Sequence, residues 1–204
     1  MLYIFDQVDK MDDVAPGRLM SLLSEQRYEK AKRLRSPLSR NGSVAAYLLL
    51  RLALKDVYCI DKAVEFEYTE KGKPLLKDYR QIHFSLSHSK HIAACAVSGF
   101  EVGIDVQYIT PVSDAVAKRV LTRKEYAGYK SSPVKDEYFC EIWTIKESFF
   151  KKTGQGIATN IRDLAAETVA DKMIYRGKDH FCCVCGQEME IKLIRREDIE
   201  QLLY

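Results

Sequence analysis

The 204-residue sequence predicts an α+β fold built from two similar halves, each a helix packed on a small antiparallel sheet. Three observations carry that expectation. Two long apolar-periodic segments, 42–55 and 136–152, read as helices. Each precedes a pair of short apolar runs with strand character, 92–97 with 102–109 in the first case and 181–185 with 189–194 in the second. The second pair also repeats the first in pattern, so a helix-and-hairpin unit occurs twice. The seam falls near Gly103, dividing the chain into an N-terminal half, 1–103, and a C-terminal half, 104–204.

Taken in order, Ser24 precedes a helical run that Pro37 should close, giving a helix over about 25–34. The Ala- and Leu-rich segment 42–55 reads as a second, largely buried helix. Strand signals follow at Val64 to Thr69 and at Ile82 to Ser87, with a turn at Lys71-Gly72-Lys73-Pro74 between them. The runs 92–97 and 102–109 meet through Ser98-Gly99-Phe100-Glu101, a hairpin-like link in which glycine permits positive φ. Pro111 and Pro133 mark loops. The last two runs join through Gly186-Gln187-Glu188.

Composition excludes several classes. At 47% hydrophobic and 30% charged residues, the chain can bury a core and is neither disordered nor a membrane protein. The stretch Met1 to Lys10 has no basic start or apolar run, and the longest apolar stretch, Val44 to Leu54, is broken by Arg51 and too short to span a bilayer. A cytoplasmic protein is expected. The six cysteines form no CxxC; Cys182, Cys183 and Cys185 lie in an alternating run, which reads as buried free thiols on a strand with no structural zinc.

A net charge of +3 does not signal nucleic-acid binding. It is unevenly spread, since Arg27, Lys30, Lys32, Arg33, Arg35 and Arg40 face only Glu29 in their segment. Such a run is ordinarily a solvated helix face, and it acquires a function only where other residues call for an anion.

Three motifs carry chemistry. In Val102-Gly103-Ile104-Asp105-Val106-Gln107 the strand alternation puts Asp105 and Gln107 on one face, about 7 Å apart. That arrangement suits a cation, and equally a sheet with one wet face. On the helix from Tyr138 to Lys152, Tyr138, Ile142, Ile145 and Phe149 form the expected core stripe, while Trp143, Glu147 and Lys151 share a nearly opposite face. An exposed Glu–Lys pair four residues apart is the ordinary reading there. The segment His83-Phe84-Ser85-Leu86-Ser87-His88-Ser89 reads as a strand running into a surface loop, or into a phosphate-binding loop whose hydroxyls and imidazole donate to phosphate oxygens. No GxSxG elbow accompanies it, so a serine hydrolase is excluded.

Phe84-Ser-Leu-Ser-His-Ser89, Gly103-Ile-Asp-Val-Gln107 and Trp143-Thr-Ile-Lys-Glu-Ser148 with Lys151, in this order and at these separations, resemble the Sfp-type 4'-phosphopantetheinyl transferases. Lys71-Gly-Lys-Pro74 resembles the same family's Gly-Lys-Pro turn. The resemblance implies a pseudodimer with coenzyme A and Mg²⁺ in the cleft between halves. It implies transfer of the phosphopantetheine arm of coenzyme A to a serine of an acyl- or peptidyl-carrier protein, with release of 3',5'-ADP. By the same resemblance Asp105, Gln107 and Glu147 are the metal positions, and Glu147, Lys151 and Asp105 the catalytic ones. Arg27, Lys30, Lys73, Ser87, His88 and Lys146 are the implied coenzyme A contacts.

Gln107 stands where the best-known members carry glutamate, and its amide can ligate a hard cation without adding charge. The alternative is a carrier-protein or nucleotide-binding module of the same fold with impaired catalysis. The implied partners are a carrier protein and coenzyme A, with no nucleic acid and no membrane, and one chain acting as a monomer. Carrier contacts are expected after Lys151, including 154–163.

Overall fold

The computed structural model describes residues 1–13, 16–156 and 161–203. The chain opens with strand β1 (Leu2–Phe5), a 3-10 turn and the short helix α1 (Pro16–Met20), then α2 (Glu25–Lys32) and the long α3 (Pro37–Tyr58). A small ribbon of β2 (Phe66–Tyr68) and β3 (Pro74–Leu76) precedes β4 (His83–Ser89), β5 (Ile92–Ser98) and β6 (Gly103–Tyr108). Helices α4 (Asp114–Val120), α5 (Arg123–Ser131) and α6 (Lys135–Thr153) follow, then β7 (Lys172–Arg176), β8 (His180–Cys185), β9 (Ile191–Leu193) and α7 (Arg196–Glu200). No helix among the described residues is long and apolar enough to cross a membrane.

The mixed α+β character expected from the sequence is present, with four layers. One sheet has the order β4-β5-β1-β9 and another β6-β8-β7. Alternation along β1 explains the layering: Tyr3 and Phe5 enter a core with α3 residues such as Leu48 and Leu49, while Leu2 and Ile4 face the second sheet through Ile104, Val106, Cys182 and Val184. The outer face of that second sheet, including Cys183 and Cys185, packs against α6 through Ile142 and Ile145. The cysteine run is thus a buried strand, as its alternation predicts.

Pro37 does not close a helix; it opens the next one. It occupies the first turn of α3, where its missing N–H costs nothing, behind Ser36, whose hydroxyl accepts from Ser39 N at 3.4 Å. The helix expected from residue 42 therefore starts five residues earlier. Residues 135–153 match the second expected helix closely, and Gly154 ends it with φ of 68°.

Neither expected hairpin forms. β5 pairs with β4 through a two-residue turn, Lys90-His91, in which Lys90 has φ of 48°. Its other edge pairs with β1, leaving no edge for β6. The 98–101 link instead carries the chain to the second sheet, where β6 pairs with β8, and β8 with β7. β9 does not return beside β8 but pairs in parallel with β1, so residues 191–193 of the C-terminal half complete the N-terminal sheet.

The two sheets are fastened where β4 meets β6. Ser85, Ser87 and Ser89 all point from β4 toward β6, and their hydroxyls accept from the backbone N–H groups of Ile104 (3.0 Å), Val106 (3.2 Å) and Tyr108 (3.1 Å). An edge strand's donors, which another strand would ordinarily satisfy, are here satisfied by alternate side chains. Ser85→Ala would strand a buried donor at Ile104 and should lower unfolding free energy by about 1–3 kcal/mol in urea titration; an unchanged midpoint would show that the contact contributes nothing.

Candidate active site

Gly103 brings α6 onto β6. A Cβ there would collide with the backbone of Ser148 and Lys152, so only glycine permits this approach. The approach sets Asp105, two residues along β6, beside the C-terminal turns of α6. Lys151 Nζ donates to Asp105 Oδ1 at 2.7 Å and to Ser87 Oγ at 3.0 Å, and Ser87 Oγ donates to the same Oδ1 at 2.8 Å. The exposed Glu147–Lys151 pair expected from spacing gives way to a cross-element pair with Asp105.

Glu147 lies one helical turn before Lys151 and is only 5% exposed, as is Asp105. Burial, and then the charge of Asp105, push the Glu147 carboxyl up to about 7 despite the opposing effect of Lys151. Asp105 Oδ2 and Glu147 Oε1 are both buried without a hydrogen-bond partner. Two carboxylates close enough to perturb one another, each with an unsatisfied oxygen, fit a hard divalent cation, which takes oxygen ligands. Among the described residues no three His, Cys, Asp or Glu side chains gather as a metal cluster, so the acids at this site number two.

Gln107 follows on the same side of β6. It borders a separate cavity of about 220 Å³ with Tyr108, Phe139, Cys140 and Trp143, and its backbone carbonyl accepts from Cys140 Sγ at 3.3 Å.

On the other side of Lys151 opens a cavity of about 380 Å³ between α2, α3, the β2–β3 ribbon, β4 and the end of α6. Arg27, Lys30, Lys71, Lys73, His88 and Lys151 line it, and no carboxylate does. Arg27 is only 6% exposed; its guanidinium lies 5.6 Å from the ring centres of both Tyr47 and Phe66, and Nη2 donates to Ser43 O and Oγ at 3.0 and 2.9 Å. Its Nε is buried without a partner.

Burial holds the Arg27 pKa down; burial and then Arg27 do the same to Lys30. Enclosure, followed by Lys151, Arg27 and Lys30, lowers that of His88. These groups repel one another and would be relieved by an anion. His88 packs against α3 at Gly42, where a Cβ would sit 2.7 Å from its Nδ1.

Arg27, Lys30, Lys73, His88 and Lys151 thus converge, while two of the expected coenzyme A contacts do not join them. Lys146 is 0% exposed on the opposite flank of α6, donating to Val120 O at 2.8 Å and Glu125 Oε2 at 2.6 Å. Five helical residues rotate it about 140° from Lys151, which is why one motif feeds two sites. Ser87 faces Asp105, not the cavity. The basic run divides likewise: Arg27 and Lys30 turn inward, while Lys32, Arg33 and Arg35 are solvated. Sequence reading missed Ser43, Phe66 and Tyr68 as wall residues; the Lys71-Gly72-Lys73-Pro74 turn was their only nearby signal. Of the expected carrier segment, residues 157–160 lie outside the described residues.

A carboxylate-free basic cavity joined by one lysine to a half-satisfied acid pair defines a site for a phosphorylated ligand with provision for a hard cation. Comparison with known proteins agrees. A family model described as the 4'-phosphopantetheinyl transferase superfamily matches residues 101–190. The chain is 30% identical over 167 residues to the 4'-phosphopantetheinyl transferase psf-1 of Bacillus pumilus, covering 80% of this chain and 72% of that one. It is 32% identical over 144 residues to the 4'-phosphopantetheinyl transferase Sfp of Bacillus subtilis (strain 168), covering 69% of this chain but 64% of that protein, just under two thirds of its length. The solved holo-[acyl-carrier-protein] synthase (AcpS) of Thermotoga maritima aligns at 18% identity with a TM-score of 0.29 over 43% of this chain and 64% of that one, too slight an overlap to bear on the fold. The chain belongs to the 4'-phosphopantetheinyl transferase family.

Lys146 separates support from chemistry. Lys146→Met leaves Glu125 buried without its cation and should cost about 3–5 kcal/mol in denaturant unfolding, while affinity for coenzyme A in the folded variant stays at the wild-type value. A large loss of that affinity with stability intact would return Lys146 to the ligand site.

Proposed function

We propose that this protein transfers the 4'-phosphopantetheine group of coenzyme A to a serine hydroxyl of an acyl- or peptidyl-carrier protein, releasing 3',5'-ADP. The observation that carries this reading is Lys151, which lines the basic cavity and hydrogen-bonds Asp105. One ammonium therefore borders both the place for the cosubstrate's phosphates and the place for a cation. The alternative of a binding module without catalysis is kept open by Gln107 alone.

In this reading Arg27, Lys30, Lys73 and His88 hold the 3'-phosphate end of coenzyme A. Asp105 and Glu147, with Gln107 at the third position, hold Mg²⁺, which when bound neutralises charge on the pyrophosphate. The pKa of Glu147, at about 7, suits a group that takes a proton near neutrality. Glu147 accepts the proton of the carrier serine, directly or through water, as the serine oxygen attacks the β-phosphorus and the bond to the ADP oxygen breaks. Lys151 holds the charge that develops on the departing phosphate. The halves 1–103 and 104–204 act as a pseudodimer, α3 backing one sheet and α6 the other, and a single chain supplies both walls of the cleft; a monomer in the cytoplasm suffices.

Incubation of a carrier protein with coenzyme A, magnesium and this protein should add the mass of phosphopantetheine at one serine, read by mass spectrometry. Glu147→Gln should reduce turnover by about a hundredfold or more. An unmodified carrier across a panel of acyl- and peptidyl-carrier proteins would favour the binding module.

Without a cation, ionising Glu147 costs stability as pH rises from the ordinary 4.5 through about 7. Magnesium should offset that cost, so the rise in Tm it produces should be larger at about pH 8 than at about pH 6, where a proton competes for the carboxylate. Asp105→Asn should abolish the difference. Equal rises at both pH values in the wild type would remove Glu147 from the cation site.

A further inference from the structure

We infer that Ser87 is a positioning residue for Asp105 and makes no contact with the cosubstrate's phosphate. The inference rests on the reading of Asp105 and Glu147 as the cation-holding pair, and it follows from a count of bonds. A serine hydroxyl has one proton to donate and two lone pairs that accept. The proton of Ser87 goes to Asp105 Oδ1 at 2.8 Å. One lone pair takes the N–H of Val106 at 3.2 Å and the other takes Lys151 Nζ at 3.0 Å. Nothing remains for a phosphate oxygen, and the side chain is buried rather than open to the basic cavity.

These bonds have a directional consequence. Asp105 Oδ1 receives both Ser87 and Lys151, while Oδ2 receives nothing and stays buried. Ser87 thereby fixes the carboxylate rotamer with one oxygen committed to the protein and the other left for a cation. It also spends one of the three ammonium protons of Lys151, aiming the group between Asp105 and the cavity. A hydroxyl that orients a ligating carboxylate acts at one remove from the ion, and loss of such a contact typically weakens metal binding about 10–100-fold.

The test is calorimetric titration of the whole protein, with two ligands measured separately: magnesium in the absence of coenzyme A, and coenzyme A in the absence of magnesium. Ser87→Ala should weaken magnesium binding about tenfold or more and leave coenzyme A affinity at its wild-type value. Ser89→Ala serves as control, since Ser89 makes the same kind of bond, to Tyr108 N, and touches neither Asp105 nor Lys151; it should leave magnesium affinity unchanged. A Ser87→Ala protein that loses coenzyme A affinity with magnesium binding intact overturns the inference and restores Ser87 as a phosphate contact. Equal magnesium losses in both variants overturn it too, as a general effect of loosening the strands. Wild-type protein that binds no magnesium overturns the carboxylate-pair reading itself, a failure visible before any variant is made.

Discussion

The alternate serines of β4 are the contact on which the site depends. A strand edge exposes donors at every second residue, and a neighbouring strand usually takes them. Here Ser85, Ser87 and Ser89 take those of Ile104, Val106 and Tyr108, so two sheets meet along a seam of side-chain acceptors. The substitution changes what the seam can do. A backbone ladder would have placed a continuous sheet between the halves. A serine seam lets β4 present Phe84 and Leu86 to the first core and His88 to the cavity while its opposite face holds β6 in register with Asp105.

Close approach of α6 is the second constraint, and it is a matter of volume. With no side chain at Gly103, the helix backbone near Ser148 and Lys152 rests on the strand, and the two residues of interest, Asp105 and Lys151, come within hydrogen-bond distance. On the far flank of the same helix, burial drives the Glu125 pKa up, but bonds from Lys146, Ala166 N and Thr122 N outweigh it and leave the carboxyl below its ordinary range. A buried ion pair contributes little net stability over an apolar pair, yet it fixes geometry when each partner is saturated. Lys146 does this for the rotation of α6, and so for where Glu147 and Lys151 point.

Much of this was legible beforehand. The two long helices follow from apolar periodicity, and Asp105 shares a strand face with Gln107 by simple alternation. What escaped was pairing. Local strand signals say which residues are extended, not which edges meet, and a four-residue link such as 98–101 reads equally as a hairpin or a crossover. The serine run of β4 escaped for a related reason: hydroxyls at alternate positions suit a phosphate loop and a strand seam alike, and only the partner decides. Lys146 and Lys151 look equivalent in sequence, and helix rotation separates them. Burial of Glu147 ran against its reading as half of an exposed pair, because β6 covers the face that spacing alone assigned to solvent.

The unsatisfied groups constrain the ligand further. Of the six buried side-chain polar atoms without partners among the described residues, three border this region: Arg27 Nε, Asp105 Oδ2 and Glu147 Oε1. Each costs free energy while unpaired, and their signs differ along the cleft. At the α2 end, a donor waits among mutually repelling cations; at the β6 end, two acceptors wait near Lys151. A simple monoanion satisfies the first and leaves the second. An apolar ligand satisfies neither, although Phe66, Phe84 and Phe150 give the cavity apolar walls. The complement is a molecule with an aromatic or aliphatic body between two phosphorylated ends, one meeting Arg27 and Lys30 directly and the other meeting the carboxylates through a cation they share. Lys151 lies where those two demands join, which is why its ammonium serves both.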